Sequence, residues 1–184
     1  MHVPSVRSLF VALVVALSTA ISVPASAESK ADLERNSRSA LNKLVAKVPT
    51  AKTLNGKAVA VLVFPSITKA GFVVGGQYGE GVLWRGGKAV GYYSTAGASY
   101  GLQAGAQKYG YAMFFMNENA LNALNTAEGF EVGVGPSVVL VDEGMAKSLT
   151  TTTAQNDIYA FIFGQTGLMA GVGIQGNKIT RINK

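Results

Sequence analysis

Apolar residues recur at helical spacing near residue 30 and stop at Pro49. With about 3.6 residues per turn, these positions fall within an arc of about 140°. They are Leu33, Ala40, Leu41, Leu44, Val45 and Val48. Ser29 precedes Asp32 by three residues, the spacing of a helix-capping motif. The pattern predicts an amphipathic helix over residues 28–49.

After Lys57 the pattern changes to short extended runs separated by turn residues. The predicted strands are 58–64, 71–74, 81–85, 88–94, 97–103, 109–116, 130–134, 138–141, 158–163, 168–175 and 178–182. One helix interrupts them over residues 118–127, with Asn117 as its cap and Gly129 beyond its end. The threonine-rich stretch 148–156 is interpreted as a loop.

These elements predict an α+β fold: an antiparallel β-barrel or sandwich of many short, Gly-rich strands, with an amphipathic N-terminal helix and one inserted helix. The 184 residues suffice for one domain. We place that domain at residues 28–184, with the helix over 28–49 and the β-rich core over 57–184.

The first 27 residues have the layout of a signal peptide. Arg7 precedes an uncharged stretch, and Ala25-Ser26-Ala27 supplies a cleavage pattern before Glu28. The apolar run of 13 residues is shorter than the ~20 that a transmembrane helix needs. We therefore expect a periplasmic or secreted protein, which could still lie peripherally on a membrane.

The rarity of two residue types excludes much catalytic chemistry. The chain has no Cys, and its single histidine is His2, in the predicted leader. Thiolate and imidazole supply most nucleophilic triads, zinc sites and neutral-pH proton shuttles. We therefore expect a protein that is not an enzyme, with no catalytic residues, metal or cofactor.

Among the remaining carboxylates, Glu80 stands out because two glycines flank it. We expect it to pair with Lys69 or Arg85, or to mark a bend. The competing hypothesis is a hydrolase in which Glu80 works with Glu131 or Asp142, at a carboxylate separation of about 5–9.5 Å. Asp142-Glu143-Gly144 is otherwise interpreted as a turn.

The glycines are patterned, and one group imitates a nucleotide-binding motif. Two series have a spacing of four residues: Gly71, Gly75 and Gly79, then Gly97, Gly101 and Gly105. Such a spacing on a strand leaves a bare stripe for close packing or for a ligand groove, and packing is favoured. Residues 171–176 match G-x-G-x-x-G, but no helix is predicted after them, which argues against a dinucleotide site.

Positive charge is concentrated near the N-terminus of the predicted domain. Residues 28–69 hold eight basic and three acidic side chains, whereas residues 70–184 hold seven of each. The eight cations are Lys30, Arg35, Arg38, Lys43, Lys47, Lys52, Lys57 and Lys69. A basic amphipathic helix favours a membrane interface, although it could also simply cover its own core.

Aromatic residues beside this basic region raise the possibility of nucleic-acid binding. They are Trp84, Tyr92, Tyr93, Tyr100, Tyr109 and Tyr111. Because aromatics in strands commonly form core or cross-strand pairs, and because the leader directs the chain away from nucleic acid, we expect no nucleic-acid partner.

Several motifs, in order, resemble those of the SYLF domain family. They include Leu62-Val63-Phe64-Pro65, Lys69-Ala70-Gly71-Phe72, residues 75–83, residues 101–107, Phe114-Phe115-Met116-Asn117 and residues 167–172. The resemblance implies a phospholipid-binding domain that uses a basic amphipathic N-terminal helix. Combined with the charge pattern, it implies lipid contacts at Arg35, Arg38, Lys43, Lys47, Lys52, Lys57 and Lys69.

The sequence thus leads to an exported, non-catalytic protein that contacts anionic phospholipid headgroups or a membrane surface through its basic N-terminal region. The alternative is an envelope structural or oligomerising interaction protein without lipid specificity, and homo-oligomers are compatible with both. Yeast relatives bind actin, but we expect no actin partner in the compartment to which the leader directs this chain.

The leader makes a direct prediction. Protein recovered from the periplasm or medium of an exporting bacterial host should begin at Glu28, since cleavage follows Ala27. Intact-mass measurement with N-terminal sequencing checks this. A recovered chain that still carries residues 1–27 would contradict it.

Overall fold

The computed structural model describes residues 28–72, 74–100, 105–126, 129–141, 155–167 and 176–184. The predicted leader, the predicted strand at 168–175 and the predicted turn at Asp142 lie outside these residues. So does most of the predicted loop at 148–156.

Two helices begin the described part of the chain. Helix α1 spans Lys30–Lys47, and the Ser29 hydroxyl caps it by accepting a hydrogen bond from the Asp32 amide at 3.2 Å. Helix α2 spans Pro49–Asn55. Helix α1 therefore ends before Pro49, as the sequence predicts, but α2 was not predicted. Proline is well tolerated in the first turn of a new helix, where its missing N–H is not needed.

Among the described residues, eight strands form a single curled sheet, a half-barrel, in the order β5-β8-β3-β2-β1-β4-β7-β6. They are β1 Ala60–Phe72, β2 Val74–Arg85, β3 Lys88–Tyr100, β4 Gly105–Phe115, β5 Phe130–Glu131, β6 Val138–Leu140, β7 Ile158–Gly167 and β8 Lys178–Ile182. Neighbours pair antiparallel except β6 and β7, which are parallel. The α+β class is confirmed, whereas the sandwich is wrong because all eight strands belong to one sheet.

The predicted strands are shorter than the observed strands, because the prediction ends a strand at each glycine. Strand β1 joins the first two of them and ends in the β1–β2 hairpin, where Gly71 lies opposite Gly75. Inside these strands glycine instead permits close contact. A Cβ on Gly79 would lie 2.7 Å from Ile67 Cγ1, and one on Gly97 would lie 2.3 Å from Asn177 Oδ1. Packing is therefore confirmed at Gly79 and Gly97 and is wrong at Gly105, where a Cβ would meet nothing within 4 Å; Gly101 lies outside the described residues.

Alternating side chains give the sheet two apolar faces. One face, here called the α1 face, carries Val61 and Val63 and packs against α1 and α2. The other carries Leu62 and Phe64 and packs against α3, which spans Glu118–Ala123; we call it the α3 face. Period-two alternation explains how one strand supplies both cores.

Helix α3 is shorter than the sequence predicts. The Asn117 side chain caps it as expected, accepting a hydrogen bond from the Ala120 amide at 2.8 Å. Leu121 and Leu124 are both buried on the α3 face. Within the described segments, no helix has the length and apolarity needed to cross a membrane.

Glu80 forms a long-range ion pair. Its carboxylate lies 2.6 Å from the Lys184 ammonium, and both side chains are largely buried. Lys184 also donates to the Glu28 carbonyl at 2.6 Å. The predicted partners Lys69 and Arg85 are wrong, since the partner comes from the far end of the sequence. Glu80 also lies opposite Ser66, next to the place where the β1–β2 register shifts.

Lys184→Met should lower the free energy of unfolding by about 2–4 kcal/mol, because it leaves the Glu80 carboxylate largely buried without its cation. Urea denaturation measures the change. Adding Glu80→Gln to Lys184→Met should recover part of the loss by removing the unpaired charge. Lys178→Met, on an exposed position of β8, is the matched control, with an expected change within about 0.5 kcal/mol. Equal effects of Lys184→Met and Lys178→Met would contradict the pairing.

Candidate anion-binding groove

An open groove of about 1060 Å³ lies between α1 and the β2–β3 hairpin. Its charged lining consists of Lys30, Arg35, Arg38, Lys43, Lys88 and Glu34, and two rings, Trp84 and Tyr92, also contribute. Five cations therefore face one carboxylate. Such an excess of one charge within a concave surface attracts anions.

Helical spacing and a tight turn bring these residues together. On α1 the residues of one face recur every three or four positions, so Glu34, Arg38 and Asn42 line the groove while Leu33 and Ser37 point into the protein. The opposite wall is the β2–β3 hairpin. Its turn residues Gly86 and Gly87 have φ values of +56° and +76°, a left-handed conformation that glycine adopts readily.

The groove is built around a stacked pair. The Arg38 guanidinium carbon lies 4.0 Å from the centroid of the Trp84 ring. Arg38 Nη2 also donates to the Gly87 carbonyl at 2.5 Å. This arrangement holds the guanidinium over an aromatic ring, with donors left over for an oxyanion.

Buried hydrogen bonds fix the ring beneath Arg38. Trp84 Nε1 donates to the Ser37 hydroxyl at 2.9 Å, and that hydroxyl donates to the Val63 carbonyl at 3.3 Å. Ser37 is fully buried between α1 and the sheet. The helix, the indole and strand β1 are therefore held in one geometry.

The groove's carboxylate is already engaged. The Tyr92 hydroxyl donates to Glu34 Oε1, and the Lys30 ammonium lies 5.3 Å from the centroid of the Tyr92 ring. Burial raises the pKa of Tyr92 to about 12, and the neighbouring Glu34 contributes to this shift. Tyr92 therefore stays a neutral donor at physiological pH, and Glu34 is held at one end of the groove.

The sequence predicts seven cations as lipid contacts, and the structure places only some of them in the groove. Arg35, Arg38 and Lys43 line the groove. Three others are exposed outside its lining: Lys47 at the end of α1, Lys52 on α2, and Lys57. Lys69 is only 7% exposed and belongs to β1 on the α3 face, away from the rest. The groove therefore unites three of the seven.

Among the described residues, Arg35 is the one groove cation that forms an ion pair with a carboxylate: its Nη2 lies 2.5 Å from Asp32 Oδ1. The two side chains are 70% and 46% exposed. The hydrogen bond from the Ser29 hydroxyl is the largest cause that holds the pKa of Asp32 below its usual value, and the hydrogen bond and charge of Arg35 act in the same direction. Because exposed pairs of this kind contribute little, Arg35 remains available to a competing anion.

Sequence reasoning missed four lining residues: Lys30, Lys88, Trp84 and Tyr92. Lys30 belongs to the predicted charge excess but not to the predicted contacts. The core interpretation of the aromatics is confirmed for Trp84, and Tyr92 packs against the same core, although both rings also border the groove. The Gly86-Gly87 pair was the available signal for Lys88, because a two-residue turn places Lys88 opposite Arg85.

The residues of the hydrolase hypothesis lie apart from the groove lining. Glu80 is engaged by Lys184, and Glu131 is exposed on β5 opposite Lys178. Asp142 lies outside the described residues. Across the described segments, no group of three or more His, Asp or Glu side chains is placed to hold a metal ion.

The architecture is that of a small α+β domain with a cationic groove on its helical face. A family model described as Ysc84, Las17-binding protein actin regulator, matches residues 96–184. This match confirms the resemblance to the SYLF domain family over the C-terminal part of the chain. The match begins within β3, so α1 and the groove residues precede it. No curated protein matches the chain significantly.

Ser37→Ala should cost about 1–3 kcal/mol in the free energy of unfolding, because it leaves the buried Trp84 indole N–H without its acceptor. Chemical denaturation followed by tryptophan fluorescence measures this. Ser39→Ala is the control, since Ser39 is exposed on the same helix. A loss at Ser37 no larger than that at Ser39 would show that this hydrogen bond does not hold α1 to the sheet.

Proposed function

We propose that the protein is an exported, non-catalytic phospholipid-binding domain that receives anionic headgroups in the groove between α1 and the β2–β3 hairpin. The observation that carries this proposal is the concentration of five cations around the Arg38–Trp84 stack. The family resemblance supports it, since the SYLF family is associated with lipid binding and actin regulation.

The groove offers what a phosphodiester requires. The planar Arg38 guanidinium can donate two parallel hydrogen bonds to phosphate oxygens, and the neighbouring lysines add mobile point charges. The partly buried Tyr92 adds an aromatic side chain of the kind that lies at the boundary between headgroup and acyl chain, and the buried Trp84 ring supports Arg38 from beneath. Because the groove is open, it suits a headgroup presented by a membrane.

The setting of this activity follows from the predicted leader. Export would place the groove against the anionic lipids of the bacterial envelope and away from actin, although the matching family model is named for an actin regulator. The remaining proposal is an envelope structural or oligomerising protein without lipid specificity. Whether the protein binds anionic lipid specifically distinguishes the two proposals.

The test compares two triple variants with equal charge loss. Arg35→Gln, Arg38→Gln and Lys43→Gln remove groove cations, whereas Lys47→Gln, Lys52→Gln and Lys57→Gln remove nearby cations outside the groove lining. Each cation near anionic headgroups contributes about 1 kcal/mol, so the groove variant should lose about tenfold to a hundredfold in vesicle affinity. The matched variant should lose clearly less.

Cosedimentation of the processed protein with phosphatidylglycerol–phosphatidylcholine vesicles gives the affinities, with pure phosphatidylcholine as the lipid control. Higher salt should weaken binding. Equal losses of vesicle affinity in the two triple variants would contradict binding in the groove and indicate diffuse electrostatic attraction to the whole basic region. Equal binding to neutral vesicles would contradict electrostatic recognition. A protein that ignores lipid and oligomerises in light scattering would favour the structural alternative.

A further inference from the structure

A smaller pocket of about 280 Å³ adjoins the cationic groove. Its lining comes from α1, the end of α2, the start of β1 and the β2–β3 turn. Three of its residues, Arg38, Asn42 and Trp84, also line the groove. The two cavities therefore meet at the Arg38–Trp84 stack, and a molecule in the pocket lies next to the anion site.

The pocket changes from polar to apolar with depth. Its exposed lining side chains, which form the mouth, are those of Arg38, Asn42 and Asn55. The side chains of the walls and floor are apolar: the half-buried Leu41, Val45, Ala58 and Val59, and the buried Ala60, Val61 and Trp84. A concave apolar interior with a few polar groups is the usual form of a site for a small molecule.

The core of the protein leaves part of this apolar surface uncovered. On the apolar stripe of α1, Leu33 and Leu44 are buried against the sheet, whereas Leu41 and Val45 are only half-buried and line the pocket. Residues four apart on a helix lie on one side of it, so Leu41 and Val45 form one continuous wall. An apolar occupant would remove this surface from water, which is favourable.

The only charge in the lining of this pocket, among the described residues, is that of Arg38. Its guanidinium is held by the Trp84 ring and by the Gly87 carbonyl, and both of these residues line the pocket as well. A chain that enters past Arg38 therefore leaves its head beside a fixed cation, with the other groove cations beyond it. This arrangement matches a molecule with an anionic head and an apolar tail.

We propose that the pocket receives one acyl chain of an anionic lipid whose headgroup lies in the groove; this inference rests on the proposed function. A methylene group is similar in size to a water molecule, which occupies about 30 Å³ of liquid, so the pocket holds about nine methylenes. That volume suits part of a single chain. The second chain of a diacyl lipid stays in the bilayer.

The test is calorimetric titration of the processed protein with methyl, butyl, octyl and dodecyl phosphate below their micelle concentrations. Affinity should rise by up to about fourfold per methylene until the pocket is full, and then level off. Affinity that does not depend on chain length would overturn the pocket while leaving headgroup binding in place. If no member binds, this inference fails, and the vesicle experiment with the two triple variants decides the proposed function separately.

A pocket-filling variant locates the chain. Val45→Phe places a ring in the pocket, so the affinity for octyl phosphate should fall by about tenfold or more, towards that for methyl phosphate. Val90→Phe is the matched control, because Val90 is exposed on β3 outside the lining of both cavities. It should keep the full gain with chain length. The same gain in both variants would overturn the pocket.

The single tryptophan of the chain gives a direct signal, because Trp84 lies in the floor of the pocket. Bromine quenches indole fluorescence on contact, so 8-bromooctyl phosphate should quench Trp84 saturably, with the affinity that calorimetry gives. Octyl phosphate should leave the intensity much less changed. Binding of the brominated chain without quenching would place the tail elsewhere and overturn the proposal.

Two further comparisons test the link between head and tail. Octyl glucoside has the same chain without the charge, and its affinity should be at least tenfold lower than that of octyl phosphate. Arg35→Gln with Lys43→Gln removes groove cations that do not line the pocket, so it should weaken methyl and octyl phosphate by the same factor. Equal affinity for the glucoside and the phosphate would overturn the joint site, as would weakening of octyl phosphate alone.

Discussion

The hydrogen-bonded connection from Val63 through Ser37 to Trp84 determines where α1 lies, and the cationic groove depends on that position. Without it, the apolar stripe of α1 would still cover the sheet, but the buried hydrogen bonds that select one rotation of the helix would be lost. With it, Arg38 stacks on the indole and reaches the turn of the facing hairpin. The buried Ser37 hydroxyl thereby positions the basic helix as one wall of the groove.

Local rules predicted the elements better than their assembly. The Ser29 cap, the apolar period of α1 and the Asn117 cap all concern neighbours in sequence, and each appears in the structure close to its predicted place. Glycine was the misleading signal in the strands. It indicated breaks, whereas the long curled strands use it where another backbone or side chain comes close.

The sites required information that no local pattern contains. Charge counting found the basic region but could not separate Arg38, in the groove, from Lys69, on the opposite face of the sheet. That separation follows from the alternation of side chains along β1 and from the register shift at Ser66. Lys88 and Trp84 can be recognised as groove residues only when the β2–β3 hairpin is placed against α1. The hydrogen bond from Trp84 to Ser37 that joins these two elements links residues 47 positions apart in the sequence.

The turn of that hairpin has a consequence for how a large partner would meet the protein. Gly87 accepts a hydrogen bond from the groove residue Arg38, and nothing lies within 4 Å of where the side chains of Gly86 and Gly87 would begin. This turn beside the groove is bare main chain, without bulky groups that would hold a broad planar assembly at a distance. The glycine turn that reverses the chain between β2 and β3 therefore also leaves this side of the groove accessible to a large partner.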